Sequence, residues 1–326
     1  MTAQQDRNRT INPQLMARTK SGTILPFAGR RESTCSRARL AMGTAAIALA
    51  SFTFPGYAGA EDIEVGLIAY APFCKVAGDE PQGIEPEMLA DVSERLDLNF
   101  EYSVSDFAGQ LASVQAGRND LAVCLFYWTE ERAKRGVYTD PIMYAPIQVM
   151  QREGGNITSV KQMEGKTIGS ITGYSWNPAL QAVPGATVRL YPEYPALLAD
   201  VASGRVDVAP ADALVNDAAI KARPDWNLQI SDLEVPTAEE IQSHPEYKLL
   251  RPSQIAWYLR KDRSELANEL TAAINEMYAD GSIASLLSKY GIEDTTVWLT
   301  PPGDYIAEER RGVDRPDDWQ PPSVGN

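Results

Sequence analysis

Two distant stretches of this chain spell nearly the same local structure. LASVQAGRNDLA, from Leu111 to Ala122, lies over LADVASGRVDVA, from Leu198 to Ala209. In each, apolar residues at helical spacing run into a glycine, Gly117 or Gly204. Glycine ends a helix where the next residue must turn left-handed. A polar turn then feeds an apolar strand. The surroundings repeat as well. Ile63 to Ala69 and Asn99 to Val104 read as strands, Phe107 to Ala116 as a helix. Pro86 to Leu96 is a helix carrying Met88, Leu89, Val92 and Leu96 on one face. The continuous apolar run from Leu121 to Phe126 suits a buried parallel strand. Later come strands at Lys166 to Ile171, Val188 to Tyr191 and Val206 to Ala209, with a helix from Pro195 to Ser203. This alternation calls for α/β sheets with right-handed crossovers. The expectation is two lobes of related build, each with its own sheet. A further strand is expected from Gln254 to Leu259. Helices from Ser264 to Tyr278 and Ser282 to Tyr290 stop at Gly281 and Gly291.

The first sixty residues are of another kind. Arg30, Arg31, Arg37 and Arg39 precede an apolar run from Leu40 to Phe54, and Ala58-Gly59-Ala60 follows. A basic segment, a short apolar run and an A-x-A site make a secretory signal peptide with a long basic leader, 1–60. The run is short and alanine-rich for a membrane span; an uncleaved anchor is the competing reading. Met16 and Met42 are alternative starts. Localisation is therefore expected to be periplasmic.

These residues hold eight Lys/Arg and two Asp/Glu, so without them the net charge of −14 becomes −20. Such acidity repels nucleic acid and anionic membranes, and no nucleic-acid partner is expected. Cys35 leaves with the leader, and Cys74 and Cys124 remain. In an oxidising compartment they either form a disulfide or stay as buried thiols. Two cysteines and the single histidine, His244, make no zinc site, and no cofactor is expected. The tail, 301–326, is rich in Pro, Asp and Arg and is expected to be extended or disordered, although Trp298, Tyr305 and Trp319 are aromatics that tend to dock.

Several motifs in one order then give a resemblance. Ala69-Tyr70-Ala71-Pro72-Phe73 resembles a first-strand exit loop. Gly83-Ile84-Glu85-Pro86-Glu87-Met88 resembles G-[FY]-D-x-D-[LM] at a helix start, with Glu for Asp. Thr129-Glu130-Glu131-Arg132 resembles a T-x-E-R turn, Tyr138-Thr139-Asp140-Pro141 an F-[ST]-x-P segment, and Met163-Glu164-Gly165-Lys166 an L-x-G-K entry to a strand. Ala279-Asp280-Gly281-Ser282 and Lys289-Tyr290-Gly291 resemble a closing pair. Together, from Ile63 to Ile292, they resemble the periplasmic solute-binding proteins of amino-acid ABC transporters, family 3 of the bacterial extracellular solute-binding proteins. The resemblance implies a type II periplasmic-binding-protein fold with two hinge strands. Lobe 1 would be 61–146 plus 253–300 and lobe 2 would be 147–252, with crossings near Pro146–Gln151 and Arg251–Ala256. It also implies a monomer that captures a small amino-acid-like ligand and passes it to an ABC transporter permease.

A zwitterion needs a cation for its carboxylate and an anion for its ammonium. The resemblance gives Arg132 the first task, and its planar fork fits a carboxylate bidentately. Asp212 receives the second; an N-cap for the segment that follows is its other role. Ser175 and Tyr174 stand in the family's G-T-T position, Tyr70 at a position that stacks on the ligand, and Thr129 in the T-x-E-R turn. Tyr127 replaces a family Ser or Thr. With Trp128, Tyr174 and Trp176 it predicts an aromatic, narrowed pocket suited to an apolar, aromatic or cationic side chain. Glu85 and Glu87 are expected to be a solvated helix start, favoured by the helix dipole.

Two rivals share the fold. One is an enzyme resembling cyclohexadienyl dehydratases, which needs a general acid; His244 lies in a polar loop without an obvious partner, and no catalytic residue is assigned. The other is a periplasmic partner of a quinoprotein dehydrogenase system, for which the Tyr127-Trp128 segment is suited and the Arg132–Asp212 pair superfluous.

Overall fold

Ile63 and Val65 are buried on either side of the exposed Glu64, and the strand they belong to lies inside the first sheet of the computed structural model, with a neighbour on each edge. The structure describes residues 61–77, 80–292, 295–303 and 310; the expected leader lies outside them. In chain order come β1 (Glu61–Leu67), β2 (Lys75–Ala77), β3 (Glu80–Gln82), α1 (Ile84–Leu96), β4 (Leu98–Val104), α2 (Phe107–Gln115), β5 (Leu121–Ala122), α3 (Glu130–Ala133), β6 (Gly136–Tyr138) and β7 (Met143–Ala145). There follow β8 (Ile147–Arg152), β9 (Thr167–Ile171), α4 (Asn177–Gln181), β10 (Thr187–Tyr191), α5 (Tyr194–Ala202), β11 (Val208–Asp212), α6 (Ala213–Ala222), β12 (Leu228–Asp232) and α7 (Ala238–Ser243). The chain then returns through β13 (Ser253–Ile255), β14 (Tyr258–Arg260), α8 (Ser264–Asp280), α9 (Ser282–Lys289) and α10 (Thr296–Leu299).

Two five-stranded sheets result, in the orders β4-β1-β5-β14-β6 and β10-β9-β11-β8-β12. In each, the first three strands are parallel and the last two run antiparallel to their neighbours. These are the two lobes of a type II periplasmic-binding-protein fold. Between the sheets, β7 and β13 pair antiparallel, Ser253 with Ala145 and Ile255 with Met143. No helix among the described residues is long and apolar enough to cross a membrane.

The repeated segment is the same machine part in both lobes. Gly117 (φ 74°) and Gly204 (φ 78°) end α2 and α5. The following aspartates then clip β5 and β11 to their parallel neighbours. Asp120 N donates to Glu64 O at 2.9 Å and Asp207 N to Thr167 O at 2.8 Å. Their carboxylates accept in return, from Glu64 N at 3.1 Å and Thr167 N at 2.8 Å.

Three expectations need correction. The strand after Asp120 ends at Ala122, because Cys124 and Leu125 take left-handed φ values of 83° and 63°. The expected strand from Gln254 to Leu259 is two strands, since the chain changes sheets after Ile255. Glu85 is wholly buried instead of solvated. It accepts from Cys124 N at 2.8 Å, Leu125 N at 2.7 Å and Trp257 Nε1 at 3.1 Å. Burial pushes its carboxyl up to about 7 against the pull of these donors. Of the tail, Arg310 is the one residue described beyond Gly303; it is buried and donates to Gln254 Oε1 at 2.6 Å and Thr139 O at 3.0 Å. Trp298 and Leu299 are buried too, Trp298 against Phe73.

Cys74 and Cys124 are joined as a disulfide across a sequence separation of 50. A cross-link of this span restricts the unfolded chain by about 4 kcal/mol on loop-entropy grounds. A Cys74→Ala/Cys124→Ala variant is therefore expected to lose stability of that order, read as a lower urea midpoint with an altered slope.

Candidate functional site

The loops at the ends of β1, β5, β9 and β11 converge on one cleft between the sheets. In open α/β sheets this is where ligands lie, outside the carboxyl ends of the strands. Tyr70, Phe107, Tyr127 and Arg132 reach it from the side of the first sheet. Tyr174, Ser175, Trp176 and Asp212 reach it from the side of the second. The space these side chains leave is about 10 Å³, no more than one water needs.

Asp212 closes β11 and is buried. It opens α6, but its carboxylate makes no capping bond to that helix. It turns into the cleft instead and accepts from two phenols of the facing lobe, Tyr70 at 2.7 Å and Tyr127 through a very short bond. Burial raises its carboxyl to about 6, while the two phenol donors pull the other way. The same burial and the nearby carboxylate push Tyr70 and Tyr127 well above the usual phenol range, so both stay protonated donors. Tyr194, beside Tyr70 with ring centroids 5.7 Å apart, is held up likewise.

Arg132 is the cation of the cleft. Thr129 caps its short helix α3 by accepting from Arg132 N at 3.2 Å. The guanidinium is buried over the ring of Phe107, 5.1 Å from its centroid, a favourable cation–π arrangement. Its Nη1 donates to Tyr127 O at 2.8 Å and its Nη2 crosses to Gly173 O in the facing lobe at 2.9 Å. Tyr174 packs edge-on against Tyr70, Phe107 and Trp176. The buried indole of Trp176 donates to Ser170 Oγ at 3.1 Å.

Thus Arg132, Asp212, Tyr70, Tyr127, Tyr174 and Ser175, singled out from sequence, meet in one cleft. Thr129 is a helix cap and does not line the cavity. Phe107 and Tyr194 were not singled out, and neither stands in a motif. The carbonyl of Gly173 was missed because a backbone acceptor leaves no trace in residue type. His244 stacks on Tyr247, with ring centroids 4.7 Å apart, and does not line the cavity. Among the described residues no group of His, Cys, Asp and Glu could hold a metal ion.

Comparison with known proteins bears on the fold and the family. The chain is 25% identical over 232 residues to the probable amino-acid-binding protein YxeM of Bacillus subtilis (strain 168), covering 69% of this chain and 82% of that one. It is 27% identical over 237 residues to the L-cystine-binding protein TcyJ of Escherichia coli (strain K12), covering 71% and 83%. Among solved structures, an ancestral arginine-binding protein bound to glutamine superposes with a TM-score of 0.62 at 23% identity, over 71% of this chain and 98% of that one. The ancestral amino acid-binding protein AncCDT-1, a precursor of cyclohexadienyl dehydratase, superposes with a TM-score of 0.59 at 20% identity, over 70% and 94%. The match to a family model extends over residues 63–293, from the first buried residue of β1 to just past α9, and the chain belongs to the bacterial extracellular solute-binding proteins, family 3.

Proposed function

We propose that this chain is an extracytoplasmic solute-binding protein that captures a small amino-acid-like ligand between its lobes and delivers it to an ABC transporter. The carrying observation is a buried carboxylate and a buried guanidinium set into the same aromatic cleft, Asp212 from one lobe and Arg132 from the other. Asp212 would take the ligand's ammonium and Arg132 its carboxylate. Tyr70, Tyr127 and Tyr174 would pack on the side chain, with Ser175 and the Thr129-capped turn supporting the clamp. Relatives named for binding amino acids, cystine and arginine support this class of ligand.

The cleft's own dimensions imply motion. A ligand of amino-acid size does not fit in about 10 Å³, so the lobes, 61–146 plus 253–300 and 147–252, must part about the β7–β13 pair to admit it. Closure is then driven by contacts made only in the closed state. In this reading residues 1–60 direct export, the protein works as a monomer with a permease, and it performs no catalysis. One observation favours a second reading. A buried carboxyl raised to about 6, Asp212, is the kind of acid that a cyclohexadienyl-dehydratase-like elimination needs; turnover of prephenate or arogenate by the purified protein would replace the first reading with this one.

A thermal-shift screen of residues 61–326 against amino acids, their amines and small acids tests the proposal. A true ligand at a hundredfold excess over its dissociation constant stabilises by about 2.7 kcal/mol. A flat response from folded, ligand-stripped protein overturns it.

Two further outcomes follow from the charges. Arg132→Ala removes a buried charged donor, and loss of such a partner costs about 3–5 kcal/mol. The affinity for the screened ligand is therefore expected to fall by at least about a hundredfold in titration calorimetry, with the fold retained by circular dichroism. The second concerns pH. Asp212 binds an ammonium only when ionised, and its carboxyl is raised from 3.8 to about 6. In the ligand-free protein that shift stabilises the fold most below the unfolded value, and the contribution is lost as pH rises through 6. Ligand binding has the opposite slope. The ligand-induced thermal shift is expected to grow between pH 5 and pH 7, and in an Asp212→Asn variant to be small and flat.

A further inference from the structure

Two successive non-glycine residues, Cys124 and Leu125, hold left-handed backbone, with φ of 83° and 63°. L-residues disfavour this conformation because their Cβ crowds the backbone, and a bulky residue such as leucine is an outlier there. Leu125 is buried in the cleft wall, and the side chain of Cys124 is tied to Cys74. Nothing in the local sequence asks for this turn. What meets it is a carboxylate from forty residues away in the chain, as the separations of 39 and 40 record. Glu85 sits in the first turn of α1 with no exposure to solvent. Its two oxygens take the two successive N–H groups that the left-handed pair turns toward it, Cys124 N to Oε2 at 2.8 Å and Leu125 N to Oε1 at 2.7 Å. Successive N–H groups in such a turn form a concavity suited to an anion.

The turn decides where the clamp stands. Directly after it, Phe126 O accepts from Ala256 N at 3.1 Å and Trp128 N donates to Gln254 O at 2.9 Å. Tyr127, between them, bridges to Ile255 and sends its hydroxyl to Asp212. The Tyr127 carbonyl receives Arg132 Nη1 at 2.8 Å. Trp257, just past β13 on the return crossing, donates its indole N–H to Glu85 at 3.1 Å. One buried carboxylate thereby grips the turn that aims Tyr127 and Arg132 and the chain that returns from the other lobe.

We propose that Glu85 is the positioning residue of the ligand clamp: by capturing the N–H groups of Cys124 and Leu125 it enforces the left-handed turn that sets Tyr127 and Arg132 in the cleft. The inference rests on the reading of those two residues as ligand groups. It separates from an ordinary role in stability through its backbone mechanism, since glycine adopts positive φ without the strain that leucine bears.

The test is a double-mutant cycle with two readouts. The variants are Glu85→Gln, Leu125→Gly and the pair, made in the protein from residue 61 onward. The first readout is amide hydrogen exchange over residues 123–132, which needs no ligand. Exchange there is expected to rise at least tenfold in Glu85→Gln, and by a smaller factor when Glu85→Gln is added to Leu125→Gly. The second readout is the affinity for L-arginine by calorimetry, with L-cystine and L-histidine as further probes. Glu85→Gln is expected to weaken binding about tenfold or more in the parent protein and distinctly less in the Leu125→Gly background. Unchanged exchange over 123–132, or equal factors in both backgrounds, overturns the proposal. Should Glu85→Gln fail to fold, Glu85→Asp keeps the charge with a shorter reach and enters the same cycle. If the parent protein binds none of the probes, that outcome bears on the capture reading, which the wider screen decides, and the exchange cycle by itself decides the role of Glu85.

Discussion

Everything in this molecule hangs on a chain that must leave one sheet, build another and come back. The two passages lie side by side as β7 and β13, a ladder of three residue pairs centred on Tyr144 and Gln254. Pro146 and Pro252 flank the ladder on its second-lobe side. A proline fixes its own φ and biases the residue before it toward extended backbone, so both passages stay strand-like where they change sheets. Other groups are tied to the same few residues. Gln254 receives Trp128 N on its carbonyl and Arg310 on its side chain, and Ile255 bridges Tyr127. The cleft wall, the crossing and the buried Arg310 thus share one short strand.

The two buried carboxylates show how one chemical group serves opposite ends by its partners. Burial raises both carboxyls, Glu85 to about 7 and Asp212 to about 6, against the pull of their donors. Glu85 accepts from three N–H groups of backbone and indole and is walled in by the turn it holds. Asp212 accepts from two phenols and lines the cleft. The net acidity of the whole chain adds little to this contrast, because solvent screens distant surface charge while leaving buried partners nearly unscreened.

Much of this was legible in the residues. The repeated helix-turn-strand segment announced two related lobes because its glycines and aspartates perform backbone tasks that few other residues can. The T-x-E-R turn led to Arg132, and the end of the strand from Val206 led to Asp212. The rest was hidden for physical reasons. The run from Leu121 to Phe126 looks like one strand because all six residues are apolar; the bend at Cys124 comes from a carboxylate on another helix, and no local pattern encodes it. Gln254 to Leu259 looks continuous because the chain stays extended while its pairing partner changes. Glu85 looks solvated because acidic residues usually are at a helix start, and only the tertiary fold lays a loop over it. Arg310 lies in a stretch of tail-like composition, and composition averages over what an individual residue does.

The bond from Arg132 to the carbonyl of Gly173 has a consequence for how such a cleft can diversify. The acceptor is backbone, so every residue type at position 173 carries it, but glycine holds it there without strain. A side chain there would face the left-handed φ of 88° and meet Phe107 at 3.2 Å. A side chain at position 173 would therefore disturb the contact that joins the two sides by moving the backbone that carries it, whereas a change of side chain at Tyr174 leaves the acceptor itself in place.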